Sequence, residues 1–243
     1  MNRDPIPDIR ARRGEEAVHG AAAQGMFDRI APTYDVLNRV LSAGADERWR
    51  DRAVAMLAGA PSGPVLDLCA GTLDLAARIE SVRPDDPVVA ADFSRAMLEA
   101  GRAKAPRTDL VVADATELPF RDGEFSGVVC GFGMRNLADL VRGANEVRRV
   151  LRSGGVFVTL DLFRPSRIVT RAFHQAYASM ILPLLGGWVS GDRGAYRYLA
   201  RSMAGFLTRQ EYECVLNQAG FERVFGFDLT LGIASIVRAE VGS

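Results

Sequence analysis

The chain has little of what marks several common protein classes. Charge of one sign is missing: 30 basic side chains balance 30 acidic ones over 243 residues. A nucleic-acid binder needs a basic face, so no nucleic-acid partner is expected. Cysteine is scarce, with Cys69, Cys130 and Cys214 odd in number and without metal-ligand spacing. They read as reduced thiols in a reducing compartment, and no metal site is expected. The two histidines, His19 and His174, read as solvated or packed rather than catalytic. Lys104 is the one lysine, which leaves little room for Schiff-base or lysine-nucleophile chemistry. Long apolar runs are absent too. The longest, residues 176–189, is broken by Pro183, Gly186 and Gly187. It falls short of the ~20 residues a membrane span requires. The opening MNRDPIPDIRARRGEE is charged without an apolar centre, so no secretory signal is expected there.

What is present suits a globular domain. A hydrophobic fraction of 48% in a chain of this length supports a sizeable core in one large domain or two small ones. Residues 1–24 are polar and read as a mobile segment, and 25–243 as a single domain. Between Met26 and Ala60, the residues Phe27, Ile30, Tyr34, Leu37, Val40 and Leu41 recur at helical spacing, and a second helix is predicted around Trp49–Leu57. Then short apolar strands alternate with helices. Strands are predicted at Val65–Cys69, Val88–Asp92, DLVVADA, FSGVVCGF and VFVTLDL, with Ser94 as a helix cap. A helix from Asn136 to Leu151 should end at Ser153-Gly154-Gly155. Such alternation means βαβ units and a mostly parallel sheet with helices on both faces, an α/β Rossmann-like fold. A helical, aromatic stretch of about 166–206 interrupts it as an insertion. Helix Thr208–Ala219 and two last β segments, Val224–Leu229 and Ile233–Arg238, complete seven strands.

In an open parallel sheet the ligand lies beyond the carboxyl ends of the strands. Three segments should meet there: the turn Asp67–Asp74, Asp92, and Asp114–Ala115. Gly71 lets the backbone approach a ligand, and Thr72 offers a hydroxyl. Asp92, 25 residues after Asp67, is placed to hold the hydroxyls of a ribose. A dinucleotide is disfavoured, because Cys69-Ala70-Gly71-Thr72-Leu73-Asp74 carries one glycine and an acid where pyrophosphate would rest. S-adenosylmethionine has no phosphate and carries a sulfonium cation, so an acid-rich turn suits it.

These residues resemble the class I, S-adenosylmethionine-dependent C-methyltransferases of menaquinone and ubiquinone biosynthesis, from about Met26 to Ala239. MFDRIAPTYDVLNRVLSAG is similar to the family's N-terminal signature, with Tyr34, Asp35, Asn38, Ser42 and Trp49 in register. LDLCAGTLD occupies the methyl-donor loop, and GFGMRNL is the most distinctive element. RRVLRSGGVFVTLDLFRPS and GDRGAYRYLARSM…FLTRQEYECVLNQAGF match the later parts. Four positions depart from the family pattern. Leu73 replaces a glycine, Asp46 a histidine, Gly131 a serine and Asp161 a glutamate. At positive φ, Leu73 would cost ~1–2 kcal/mol.

The resemblance implies a donor site in which Gly71 and Gly131 border the methyl donor and Thr72 contacts its methionine part. Asp92 would hold the ribose, and Asp114 with the Ala115 amide the adenine. It implies catalytic roles for Arg135 and Asn136, facing a polyprenyl quinol ring, with Tyr34 closing over the site. A guanidinium near the ring oxygen favours the anion that feeds electrons to the ortho carbon. The expected reaction is C-methylation of demethylmenaquinol to menaquinol, with a methoxy-polyprenyl-benzoquinol as second substrate. A methyltransferase of secondary metabolism acting on a phenol or polyketide, and an inactive donor-binding paralogue, stay open as alternatives. Asp67 is read as bracing the turn, with a direct donor contact left open. The expected location is cytoplasmic. The stripe Phe173, Tyr177, Met180, Ile181, Leu184, Leu185 and Trp188 could give weak, transient membrane-surface contact, between Arg167 and Arg171 before it and Arg193 and Arg197 after it. A homodimer is left open.

Overall fold

A computed structural model describes residues 21–165, 198, 202–203 and 205–242. Seven strands form one sheet: β1 Val65–Leu68, β2 Val88–Asp92, β3 Asp109–Val112, β4 Phe125–Gly131, β5 Leu151–Asp161, β6 Glu222–Leu229 and β7 Ala234–Glu240. Their order is β3-β2-β1-β4-β5-β7-β6. All neighbours from β3 to β5 are parallel, and β7 runs antiparallel between β5 and β6. The direction of winding reverses between β1 and β4, where Leu68 lies opposite Cys130. That reversal opens a crevice at the carboxyl ends of these two strands.

The period of two divides the strand residues between two cores. One face carries Leu66, Leu68, Val128 and Phe157, covered by α6 (Leu140–Val150) and α7 (Arg209–Gln218). Tyr212 of α7 is fully buried there, and its hydroxyl lies 2.8 Å from Thr159 Oγ1. The other face carries Val65, Val129, Val158 and Ile236. It is covered by α3 (Ala45–Ala55), α4 (Asp74–Val82) and α5 (Arg95–Gly101). With both faces buried, the central strands read as continuous apolar runs.

Element boundaries shift where caps and glycines act. The helical spacing expected after Met26 is divided among α1 (Ala21–Ile30), α2 (Tyr34–Leu41) and α3, separated by a 3-10 turn containing Pro32 and by Gly44 at φ 78°. Residues 1–20 lie outside the described part, and α1 begins at Ala21, ahead of the residue 25 boundary. The helix expected from Asn136 starts only at Leu140, because Asp139 caps it by accepting from Arg142 N. Met134–Asn136 instead form a separate 3-10 turn. The helix ends at Val150, one residue short of the expected Leu151, and Ser153-Gly154-Gly155 beyond it lies inside β5, where Gly154 has φ 71° and the register shifts against β4. Thr208 closes a capping box with Glu211 at the start of α7. Most of the expected 166–206 insertion lies outside the described residues, including the stripe Phe173–Trp188.

Candidate active site

The turn after β1 is tightly wound. Cys69, Gly71 and Leu73 all have positive φ, 55°, 51° and 65°. For Leu73 this left-handed conformation costs ~1–2 kcal/mol, but its side chain is 0% exposed. Full burial of a leucine contributes ~1.5–3 kcal/mol, enough to hold the turn without the family's glycine. Gly101 of α5 makes the close approach possible, since a Cβ there would lie 2.4 Å from the Thr72 backbone and 2.8 Å from Leu73 Cγ.

The carboxylates of this half are answered by backbone amides. Asp92 Oδ2 accepts from Gly71 N at 2.9 Å and Oδ1 from Ser94 N at 2.8 Å, which binds the end of β2 to the β1 turn. Burial pushes the Asp92 carboxyl up to about 6 against the pull of these two bonds. Asp67 Oδ2 accepts from Ala76 N at 2.9 Å, its Oδ1 has no hydrogen-bond partner, and burial pushes it up to about 8. Asp114 Oδ1 accepts from Thr116 N and Thr116 Oγ1, both at 2.8 Å. The hydroxyl of Thr72 donates to Asp35 Oδ1. Lys104 Nζ joins Asp35 Oδ2 at 2.5 Å to Asp74 Oδ1 at 2.9 Å, and Arg50 lies 3.4 Å from Asp74. The charge of Asp74, unopposed in the sequence reading, is therefore compensated. Asp46, where the family has histidine, pairs with Arg50 and accepts from Ser42 Oγ at 2.7 Å. Burial would raise its pKa, but these two partners hold it below the usual carboxylate value.

The other half grows from the end of β4. Phe132 has φ 60°, and the following Gly133 is wedged against the β1 turn. A Cβ on Gly133 would lie 2.3 Å from Cys69 Cβ and 2.8 Å from the sulfurs of Cys69 and Cys130. At Gly131 a Cβ would meet only a Leu75 methyl, at 2.7 Å, so the family's serine needs a shift of one flexible side chain. Arg135 Nη1 pairs with Asp161 Oδ1 at 2.5 Å, and its backbone N donates to Asp161 Oδ2 at 3.2 Å. Their side chains are 8% and 0% exposed. Burial opposes the charge on Arg135, but Asp161 holds its pKa above the ordinary value. The guanidinium lies 5.8 Å from the centre of the Phe132 ring, and that of Arg50 lies 5.5 Å from the same ring. Asn136 Nδ2 donates to Phe132 O at 3.1 Å, and Tyr198 OH donates to Asn136 Oδ1 at 3.0 Å. Tyr34 is half-buried, and loss of solvent raises its hydroxyl pKa against the lowering field of Arg135.

Between the halves lies a cleft of about 880 Å³, part of it open to solvent. Seven of the nine residues expected at the site line it: Tyr34, Gly71, Asp92, Asp114, Ala115, Gly131 and Asn136. Thr72 and Arg135 stand behind the wall, engaged with Asp35 and Asp161. Phe27, Phe93, Met97 and Phe132 also line the cleft and were not singled out as site residues. Phe93 could have been found, as it directly follows Asp92. Helix α1 roofs the space: Gln24 Nε2 donates to Phe93 O at 2.9 Å and Asp28 accepts from Ser94 Oγ. The Phe27 ring meets those of Phe93, Tyr198 and Tyr34 edge-on at 5.7, 6.1 and 6.3 Å. Among the described residues no helix is long and apolar enough to cross a membrane.

Known proteins share both fold and sequence with this chain. The solved [4+2]-cyclase SpnF superposes with a TM-score of 0.67 at 16% identity, covering 93% of this chain and 98% of its own. A Thermotoga maritima S-adenosylmethionine-dependent methyltransferase does so with a TM-score of 0.65 at 18% identity, over 89% of this chain and 98% of its own. These establish the fold alone, and a cyclase on it shows why the fold does not define the reaction. Sequence goes further. The demethylmenaquinone methyltransferase of Thermus thermophilus is 42% identical over 215 residues, 87% of this chain and 97% of that protein. The ubiquinone/menaquinone biosynthesis C-methyltransferase UbiE of Geotalea uraniireducens is 38% identical over 228 residues, 91% of this chain and 97% of that protein. The model of the ubiE/COQ5 methyltransferase family matches residues 15–240. The chain therefore belongs to the ubiE/COQ5 methyltransferase family and is an S-adenosylmethionine-dependent methyltransferase.

Proposed function

We propose that the protein transfers a methyl group from S-adenosylmethionine to a ring carbon of a polyprenyl hydroquinone, demethylmenaquinol first and a methoxy-polyprenyl-benzoquinol second. One observation carries the reading: a single cleft joins a nucleoside-type wall, Asp92 and Asp114–Ala115, to Asn136 and Tyr34 beside the buried Arg135. The donor fits that wall. The Asp92 oxygens each accept one amide bond and keep lone pairs for two ribose hydroxyls. Phe93, Met97 and Ala115 offer an apolar bed for a purine, with Asp114 Oδ2 and the Ala115 amide at its edge. Gly71, at φ 51°, keeps the cleft wall down to backbone there, with Met97 and Tyr34 as the nearest side chains.

When bound, the donor supplies a methyl group on a sulfonium and leaves as a neutral thioether. The protein's residues act on the ring. Arg135, held in place by Asp161, projects a positive field through the Phe132 wall and favours the oxygen anion that enriches the ortho carbon. Asn136 gives the ring oxygen a hydrogen bond, and Tyr34 with the α1 roof excludes water. The rest of the rate comes from in-line positioning.

The names of the relatives support the quinol as substrate, and the burial of Leu73 offsets the strain that a leucine brings to the donor turn. Contact with the membrane surface, through the Phe173–Trp188 stripe outside the described residues, would let the ring be reached while the tail stays in lipid. Two measurements test the function. Calorimetry should show saturable binding of the donor and its demethylated product, weakened at least ~10-fold in Asp92→Ala. Quinones extracted from a deletion strain should be demethylmenaquinone. An unchanged quinone pool would refute the substrate, and donor binding with no turnover on any quinol would refute the enzyme.

A further inference from the structure

The carboxamide of Asn136 has two polar ends, and the structure orients both. Phe132 O can only accept a hydrogen bond, so the group 3.1 Å from it is the NH₂. The opposite end is therefore the carbonyl oxygen, and Tyr198 OH, 3.0 Å away, must donate to it. One N–H of Asn136 is used by Phe132, and the second remains for the cleft that Asn136 lines. Were the Tyr198 proton absent, nothing on that side would distinguish oxygen from nitrogen. Only Phe132 O would then oppose a turned amide, whose oxygen would face the ring and repel an anion instead of binding it.

We infer that Tyr198 is a positioning residue: it locks the Asn136 amide so that an N–H, not a C=O, faces the oxygen of the methyl-accepting ring. The inference rests on the proposed quinol reading and deepens it. Tyr198 is itself placed from two sides, by the Phe27 ring at 6.1 Å and by its bond to Asn136. The charged and titratable groups facing this end come from several elements. Among the described residues they are Arg135 on the 3-10 turn, Asp161 on β5, Arg50 on α3, Tyr34 on α2 and Asp92 on β2. Arg135 stays paired with Asp161 and Arg50 with Asp46 when Tyr198 is changed, but Tyr198 also raises the Arg135 pKa, so the Asn136→Ala background is what separates the two effects. A change in the ring's ionisation is then traceable to the amide.

The test uses the whole protein saturated with the demethylated donor product and 1-naphthol as a ring with one ionisable hydroxyl. Its ionisation is followed by absorbance as pH is varied. Wild type should lower the pKa of bound naphthol, and Tyr198→Phe should lose most of that shift while donor affinity stays within about twofold. With a short-tailed quinol, Tyr198→Phe should lower kcat about tenfold, less than the ~10²-fold expected from deleting an anion-stabilising donor outright. The kcat profile should also move to higher pH. Adding Tyr198→Phe to Asn136→Ala should cost nothing more, because the amide it orients is gone. An unchanged naphthol pKa and pH profile in Tyr198→Phe, or additive losses in the double variant, would overturn the inference alone. Failure of wild type to bind naphthol would overturn the quinol reading and the inference with it.

Discussion

The two halves of the cleft are held by different kinds of bond. On the donor side, the carboxylates at the strand ends are met by backbone amides, Asp92 by Gly71 and Ser94, Asp114 by Thr116 and Asp67 by Ala76, with the side-chain links of Thr72 and Lys104 to Asp35 added outside them. On the acceptor side, side chains meet side chains from distant segments. Arg135 and Asp161 are 26 residues apart, and Asn136 and Tyr198 are 62 apart. Backbone amides arrive with the turn itself and survive most substitutions. Side-chain partnerships end when either residue changes. The donor half is thus the conservative platform, and the acceptor half is where single substitutions can redirect the chemistry.

The sharpest attempt to break this division is Asp161→Ala. It leaves the Arg135 guanidinium charged and unpaired in a buried position, at a cost of ~3–5 kcal/mol. Urea unfolding should show that loss, and quinol turnover should collapse while donor affinity changes less than about threefold. An equal loss of donor binding would show that the halves are one unit. The next effect belongs to Asp67. Its folded pKa of about 8 lies above the ordinary value of 3.8, so the folded state holds a proton that the unfolded state releases. Stability from this group therefore falls as pH rises through that window, by up to about 1.4 kcal/mol per pH unit. Asp67→Asn removes the slope, and its stability relative to wild type should climb between about pH 5 and pH 7. A flat difference would mean that the carboxyl is solvated or paired. The smallest effect is expected from Leu73→Gly. It relieves ~1–2 kcal/mol of backbone strain but forfeits ~1.5–3 kcal/mol of burial and adds glycine's entropy cost of ~0.5–1 kcal/mol. A net loss of about 1.5 kcal/mol in the free energy of unfolding should result, with donor binding retained. A gain in stability would show the turn to be held by something other than the leucine side chain.

The same division explains what could be read from the chain. Val88–Asp92 was legible to the residue, and Ser94 as cap of α5, because both depend on neighbours in sequence. The meeting of the three strand-end segments was legible because parallel topology forces those ends together. Arg135 and Asn136 were found through the resemblance rather than through spacing. Neither the burial of Arg135 against Asp161 nor the contact of Tyr198 with Asn136 leaves a periodic signal. The helix expected from Asn136 failed at its start because a cap at Asp139 outweighed helical spacing. Its end at Val150 was legible, but the glycines beyond it serve an irregular stretch inside β5 rather than a cap, because a bulge and a cap use the same residue.

Lys104 gives the molecule an unusual experimental property. It carries the one side-chain amine in the sequence, and that amine spans Asp35 on α2 and Asp74 at the head of α4. An acylating or fluorescent reagent aimed at amines meets a single side chain, at the joint where α2 is fastened to the donor turn. Its rate of labelling is therefore a direct clock for how often that joint comes undone.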